Sequence, residues 1–187
     1  MKTVIKMLIT LTIIGVVSGA LLSEVSNWAA PKIEIHRKAA TEQAIYLVQP
    51  NAKDYQKVET VDFELYKVFD DGKNLIGYAL PFEGNGFQGK IRLMVGVKDD
   101  LNELAGLEIL EQVETPGLGT KVTEEPFTKQ FNELKAEPKV AWVKGTPPSK
   151  PNEIQAITGA TISSRSVVEI INQGLEKLRS AKEGGKL

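Results

Sequence analysis

The run from Val4 to Leu22 constrains this chain more than any other feature, because it is apolar or small throughout apart from Lys6. It is about the length of helix that crosses a hydrocarbon core. Two fates fit such a segment. It is an anchor that stays, or a signal peptide that is removed, since Lys2 and Lys6 make a basic start and Ser18-Gly19-Ala20 offers small residues to a peptidase. The apolar run continues through Leu21 and Leu22, and Trp28 then falls where interfacial aromatics collect, so a retained anchor is the expectation. Lys2, Lys6 and the amino terminus precede the span while Lys32, Arg37 and Lys38 follow it at a distance. That balance is too even for charge alone to orient it.

With 187 residues in all, the chain has room beside this segment for one domain of ordinary size. Its formal charge of -1 gives no field that would draw nucleic acid or another polyanion, so nucleic acid is discounted as a partner. The absence of cysteine excludes disulfides, thiolate metal sites and ligation of an iron-sulfur cluster, so redox chemistry requires a borrowed cofactor. The one histidine, His36, sits in a polar stretch after the hydrophobic terminus and reads as a solvated linker residue.

Residues Ile33 to Leu47 have helical spacing at Ile33, Ala40, Ala44 and Leu47, and Pro50-Asn51 closes that segment. The pattern then changes to short runs of period two at Val61–Phe69, Asn74–Leu80, Ile91–Val97 and Leu104–Val113. Asp70-Asp71-Gly72, the Gly-rich stretch Glu83–Gly89 and Lys98-Asp99-Asp100 separate them with turn chemistry, which predicts an antiparallel meander. A helix is expected over Thr123–Ala136 with Phe127, Phe131 and Leu134 on one face, followed by a strand at Val140–Val143. A final helix carries Val167, Ile171, Leu175 and Leu178, with Ser166 and Glu169 in the pattern of a capping box. The class is therefore α+β. The expected division is an anchor over 1–30, a connecting helical segment over 31–55 and one domain over 56–187.

Two stretches suit neither strand nor helix interior. In Glu114-Thr115-Pro116-Gly117-Leu118-Gly119, Pro116 fixes one turn torsion and Gly117 is free to take a positive one, so the chain reverses and exposes bare backbone on both sides of Leu118. That is a place for a flat conjugated ring, and equally an ordinary connecting turn. In Thr158-Gly159-Ala160-Thr161-Ile162-Ser163-Ser164, hydroxyls and small residues precede a helix, whose unpaired N–H groups and positive dipole end suit a phosphate. The local alternative is a run of Ser and Thr that caps the helix. Lys121 and Glu114 offer charges that could tune a ring electrostatically, and the blander reading of both is exposed structural charge.

Both motifs, in this order, together with Gly86-Phe87-Gln88-Gly89-Lys90-Ile91 and Gly96, resemble the FMN-binding domain family shared by the G subunit of the Rnf electron-transport complex and the C subunit of the sodium-pumping NADH:quinone reductase. The resemblance implies one FMN, joined as a phosphoester to the last threonine of the second motif, Thr161, by a separate flavin transferase that uses FAD and a divalent metal. Thr158, Gly159, Ala160, Ile162 and Ser163 would then bind the cofactor from one side, and Glu114, Thr115, Pro116, Gly117, Leu118 and Gly119 from the other. No catalytic side chain and no resident metal are implied. One departure stands out: Gln155 occupies a position where the family has an acidic residue, with Glu153 two residues earlier.

Length and the single anchor resemble the Rnf G subunit of the two. The implied function is electron transfer within a membrane ion-translocating ferredoxin:NAD oxidoreductase, beside other membrane subunits, with the FMN domain on the extracytoplasmic side of the cytoplasmic membrane. The alternatives are a C-type subunit of the sodium-translocating quinone reductase, a stand-alone membrane-tethered FMN reductase, or an assembly module without flavin.

Overall fold

The computed structural model describes residues 1–187. They divide into two units, Met1–Ala40 and Thr41–Leu187. The first belongs to a helix, α1 (Lys2–Val48), which contains Pro31 and whose apolar window is long enough to cross a membrane and fully unburied. The expected separate connecting helix does not exist as such, because α1 runs through Ile33–Leu47 without a break. The second unit also begins earlier than residue 56, since Thr41, Ala44, Ile45 and Val48 on the last turns of α1 are buried in its core.

The second unit is built on a five-stranded antiparallel sheet in the order β1 (Asp54–Lys57), β2 (Tyr66–Phe69), β3 (Leu75–Asn85), β4 (Lys90–Lys98) and β5 (Leu104–Gln112). This is the predicted meander. Its two faces enter two different cores, and the period of two in each strand sorts the side chains between them. Leu80, Leu93 and Val95 join the larger core, whereas Ala79 and Met94 join a smaller one with Ala44, Ile45 and Val48. Burial on both faces is why the centre of the sheet reads as the continuous run Leu93-Met94-Val95 rather than as strict alternation. Gly96 permits the contact on the second face, since a Cβ there would lie 2.3 Å from the Val48 carbonyl oxygen.

Three expectations need correction. Residues 61–65 are not strand; Val61 and Phe63 instead pack against the larger core from an irregular segment that precedes β2. β3 extends through Pro81 to Asn85, because β2 pairs with β3 only as far as Ala79, so the missing N–H of Pro81 faces no β2 partner. The expected helix over Thr123–Ala136 is three short turns: a 3-10 turn at Gly119–Thr123, α2 (Glu125–Thr128) and a 3-10 turn at Lys129–Phe131. Asn132 is extended and Glu133 has φ 57°, which ends helical progress although Phe127, Phe131 and Leu134 are all buried.

Beyond this, β6 (Ala141–Val143) pairs in parallel with β7 (Glu153–Gln155), and α3 (Thr161–Glu183) lays Val167, Ile171, Leu175 and Leu178 into the larger core. α3 begins before the proposed capping box. Ser166 is a buried residue within it, and Glu169 pairs with Arg165 at 3.3 Å instead of reaching back to a cap.

Candidate functional site

The helix start at Thr161 is the foundation of the site. Ala160 occupies the cap position with φ -132° and ψ 38°, and no side chain caps the helix. The capping alternative for the Ser/Thr run is therefore not realised. Ser164 is turned inward instead: its hydroxyl accepts from Ile157 N at 3.0 Å and donates to the Ala160 carbonyl at 3.0 Å, which fastens the preceding turn to α3. Gly159 has φ +86°, in the left-handed region that favours glycine, and this lets the chain turn directly into the helix. The first turn of α3 thus keeps its leading N–H groups and its positive dipole end for an anion.

The other motif follows β5 and comes to the same place. Leu118 N and Thr120 N both donate to the Thr115 carbonyl at 3.2 Å, Gly117 N donates to Thr120 Oγ1 at 3.0 Å, and Gly117 has φ +74°. The sharp reversal read from Pro116-Gly117 is present. A cavity of about 330 Å³ lies between the two motifs, lined by Thr115, Leu118 and Gly119 on one side and by Gly159, Ala160, Thr161, Ile162 and Ser163 on the other. Its volume is at the lower end of the range for small-molecule sites, about 300–1,000 Å³.

Not every expected residue lines it. Pro116 and Gly117 shape the turn but are absent from the cavity wall, and a Cβ on Gly117 would meet nothing within 4 Å. Gly117 holds φ +74° in open surroundings, so the need for glycine that the chain itself shows there is torsional. Thr158 faces a neighbouring cavity of about 270 Å³ with Lys121, Gln130 and Gln155. Glu114 is not the exposed charge that was expected, being only 3% exposed.

Two wall residues escaped the sequence reading. Phe87 enters from the connection between β3 and β4, and Lys144 from the end of β6. Phe87 had a signal, since it stands in the Gly86–Ile91 segment that carries the resemblance; Lys144 had none, because only the parallel pairing of β6 with β7 brings it there. A larger cavity of about 470 Å³ lies between Val61–Phe63 and the C-terminal half of α3, and it contains no residue of either motif.

The donor set fits FMN: an uncapped helix start and the Lys144 cation for phosphate, and exposed apolar faces of Phe87, Leu118 and Ile162 for a ring. Residues 86–176 match the family model described as FMN-binding domain. Those residues, just under half of the chain, are similar to that family.

It is 28% identical to the G subunit of the ion-translocating oxidoreductase complex of Methanosarcina acetivorans, with 98% of each chain covered. It is 29% identical to the G subunit of the Na(+)-translocating ferredoxin:NAD(+) oxidoreductase complex of Acetobacterium woodii, over 94% of this chain and 91% of that one. Among solved structures it is similar to NqrC of Shewanella oneidensis, with TM-score 0.57 and 25% identity, covering 68% of this chain and 65% of that one. The antiparallel sheet with packed helices is thus shared with NqrC.

Proposed function

We propose that this chain is a single-pass electron-transfer subunit of a membrane ion-translocating ferredoxin:NAD oxidoreductase, with one FMN held as a phosphoester on Thr161. The observation that carries the reading is the position of Thr161 at the uncapped start of α3, in one cavity with the turn that follows β5. The α1 span supports membrane attachment; in this reading the FMN domain lies on the extracytoplasmic side, with other subunits of the complex as partners.

Bound FMN supplies chemistry that no side chain here has, since a flavin accepts and passes on one electron or two. The rest follows from the chain's own residues. The Thr161 hydroxyl oxygen bonds to the phosphorus of the FMN half of FAD; the phosphoanhydride bond breaks, AMP leaves, and the hydroxyl proton is released. A separate flavin transferase with a divalent metal would catalyse that step. The leading amides of α3 and the Lys144 ammonium would hold the remaining phosphate charge. Phe87, Leu118 and Ile162 would cover apolar ring surface. No acid, base or nucleophile is needed in turnover.

A C-type subunit of the sodium-translocating quinone reductase is the second reading, supported by the likeness to NqrC. Coverage favours the first, because the chain spans 98% of the Methanosarcina G subunit but 65% of NqrC. Glu153 does not replace the acid at residue 155, being engaged by Ser149 N at 3.0 Å, Ser149 Oγ at 3.1 Å and Lys150 N at 3.1 Å, whereas Glu124 lines one cavity with Gln155 and Thr158.

Co-expression with a flavin transferase tests the reading. The denatured wild-type chain should fluoresce as a flavin and gain the mass of FMN less one water. Thr161→Ala should do neither while folding normally, since Thr161 makes no capping bond that the fold would lose. Covalent flavin retained in Thr161→Ala would refute the attachment.

A further inference from the structure

Glu114 lies outside the wall of the 330 Å³ cavity and is buried behind it. Its Oε1 accepts from Phe87 N at 2.9 Å and from Gln88 N at 3.0 Å. Its Oε2 accepts from the hydroxyl of Ser163, on the first turn of α3. One carboxylate therefore joins three segments that are far apart in sequence: the β3–β4 connection, the turn after β5 and the start of α3.

The surroundings are fitted to that carboxylate. A Cβ on Gly86 would lie 2.5 Å from Glu114 Oε1, and a Cβ on Gly119 would lie 2.7 Å from Glu114 Cβ and 2.9 Å from Ser163 Oγ. Both glycines are places where backbone closes onto the side chain. Phe87, by contrast, is 60% exposed, so packing does not fix its ring, and the restraints on its turn are the bond from its own amide to Glu114 and the main-chain bond from Gly86 N to the Gly89 carbonyl at 2.6 Å. A buried carboxylate is costly unless its lone pairs are satisfied, and here both oxygens accept.

We propose that Glu114 is a positioning residue: it does not touch the cofactor, but it locks Phe87 into the wall of the cavity that contains Thr161. The proposal rests on the FMN reading of that cavity for its consequence, though not for the clamp itself. A carboxylate suits the task because Oε1 takes two amides while Oε2 takes a hydroxyl. Glutamine retains all three contacts if its amide donates to Ser163 Oγ and the serine hydroxyl turns to donate elsewhere. Alanine retains none.

Amide hydrogen exchange at Phe87 and Gln88 in the full-length flavin-free chain, in detergent, tests the clamp. Glu114→Ala should speed exchange at both amides by about tenfold or more, the order expected for losing a hydrogen bond to a charged acceptor, while Glu114→Gln should stay close to wild type. If Glu114→Ala does not fold, Gly86→Ala carries the same test, because its Cβ pushes the connection off Oε1. Unchanged exchange in the folded variant would overturn the clamp.

The flavin-loaded protein tests the consequence. Glu114→Ala should keep covalent flavin but change its visible circular dichroism, and Glu114→Gln should restore the wild-type band. Faster exchange with an unaltered flavin band would overturn the positioning role. Should the wild-type chain take up no flavin at all, the FMN reading fails and the exchange result still decides the clamp.

Discussion

Leu118 packs against Gly159: a Cβ placed on Gly159 would stand 3.3 Å from Leu118 Cδ2. The turn after β5 and the approach to α3 therefore touch across the site, and Gly159 is held there at φ +86°. Gly159→Ala should cost about 1–2 kcal/mol from the left-handed torsion alone. It should also displace Leu118 by a few tenths of an ångström. Thermal unfolding and the yield of covalent flavin should both fall; an unchanged melting temperature would mean that the turn relaxes freely.

Gly117 and Gly119 separate torsion from space. Gly117 has a positive φ but open surroundings, whereas Gly119 closes on Glu114 and Ser163. Gly117→Ala should lower stability by about 1 kcal/mol through strain and leave the flavin spectrum as it is. Gly119→Ala should force the turn away from α3 and alter the spectrum of the bound flavin. The reverse order of spectral effects would contradict the wall assigned to Thr115, Leu118 and Gly119.

Much of this arrangement was legible before any coordinates, and the exceptions have physical causes. The meander declared itself by short apolar runs between turns, and α3 by an apolar stripe that faces the larger core. β1 did not, since Asp-Tyr-Gln-Lys is an edge strand with an exposed pattern and no apolar alternation. The spacing of Phe127, Phe131 and Leu134 imitated a helix; all three are buried, but short turns deliver them. Glu114 read as a surface charge because nothing local to it announces Phe87, Gln88 and Ser163 as partners. Lys144 reaches the site only through tertiary structure.

Glu103 gives a pH-dependent handle on the fold. Hydrogen bonding to Lys135 and then to Lys98 holds its carboxyl below the usual carboxylate range. A depressed folded value means stability that is present above the unfolded pKa, about 4.3, and lost as pH falls through the folded one. The melting-temperature advantage of wild type over Glu103→Gln should therefore be full at neutral pH and shrink as pH falls below about 4. A difference that stays constant down to pH 3 would remove Glu103 from the account.

The side of the membrane is open to direct labelling, because the chain has no cysteine of its own. Asp71→Cys places one thiol on the exposed turn between β2 and β3. A maleimide that cannot cross the cytoplasmic membrane should label it in intact cells, and should label Lys2→Cys only after that membrane is permeabilised. The opposite pattern would put the FMN domain in the cytoplasm.

The central claim is that Thr161, and no neighbouring hydroxyl, carries the flavin. The tryptic peptide that ends at Arg165 contains Thr158, Thr161, Ser163 and Ser164. Fragmentation of that peptide from native membranes should find FMN as a phosphoester on Thr161. Flavin on another residue, or an unmodified peptide from cells whose transferase modifies a control protein, would contradict it.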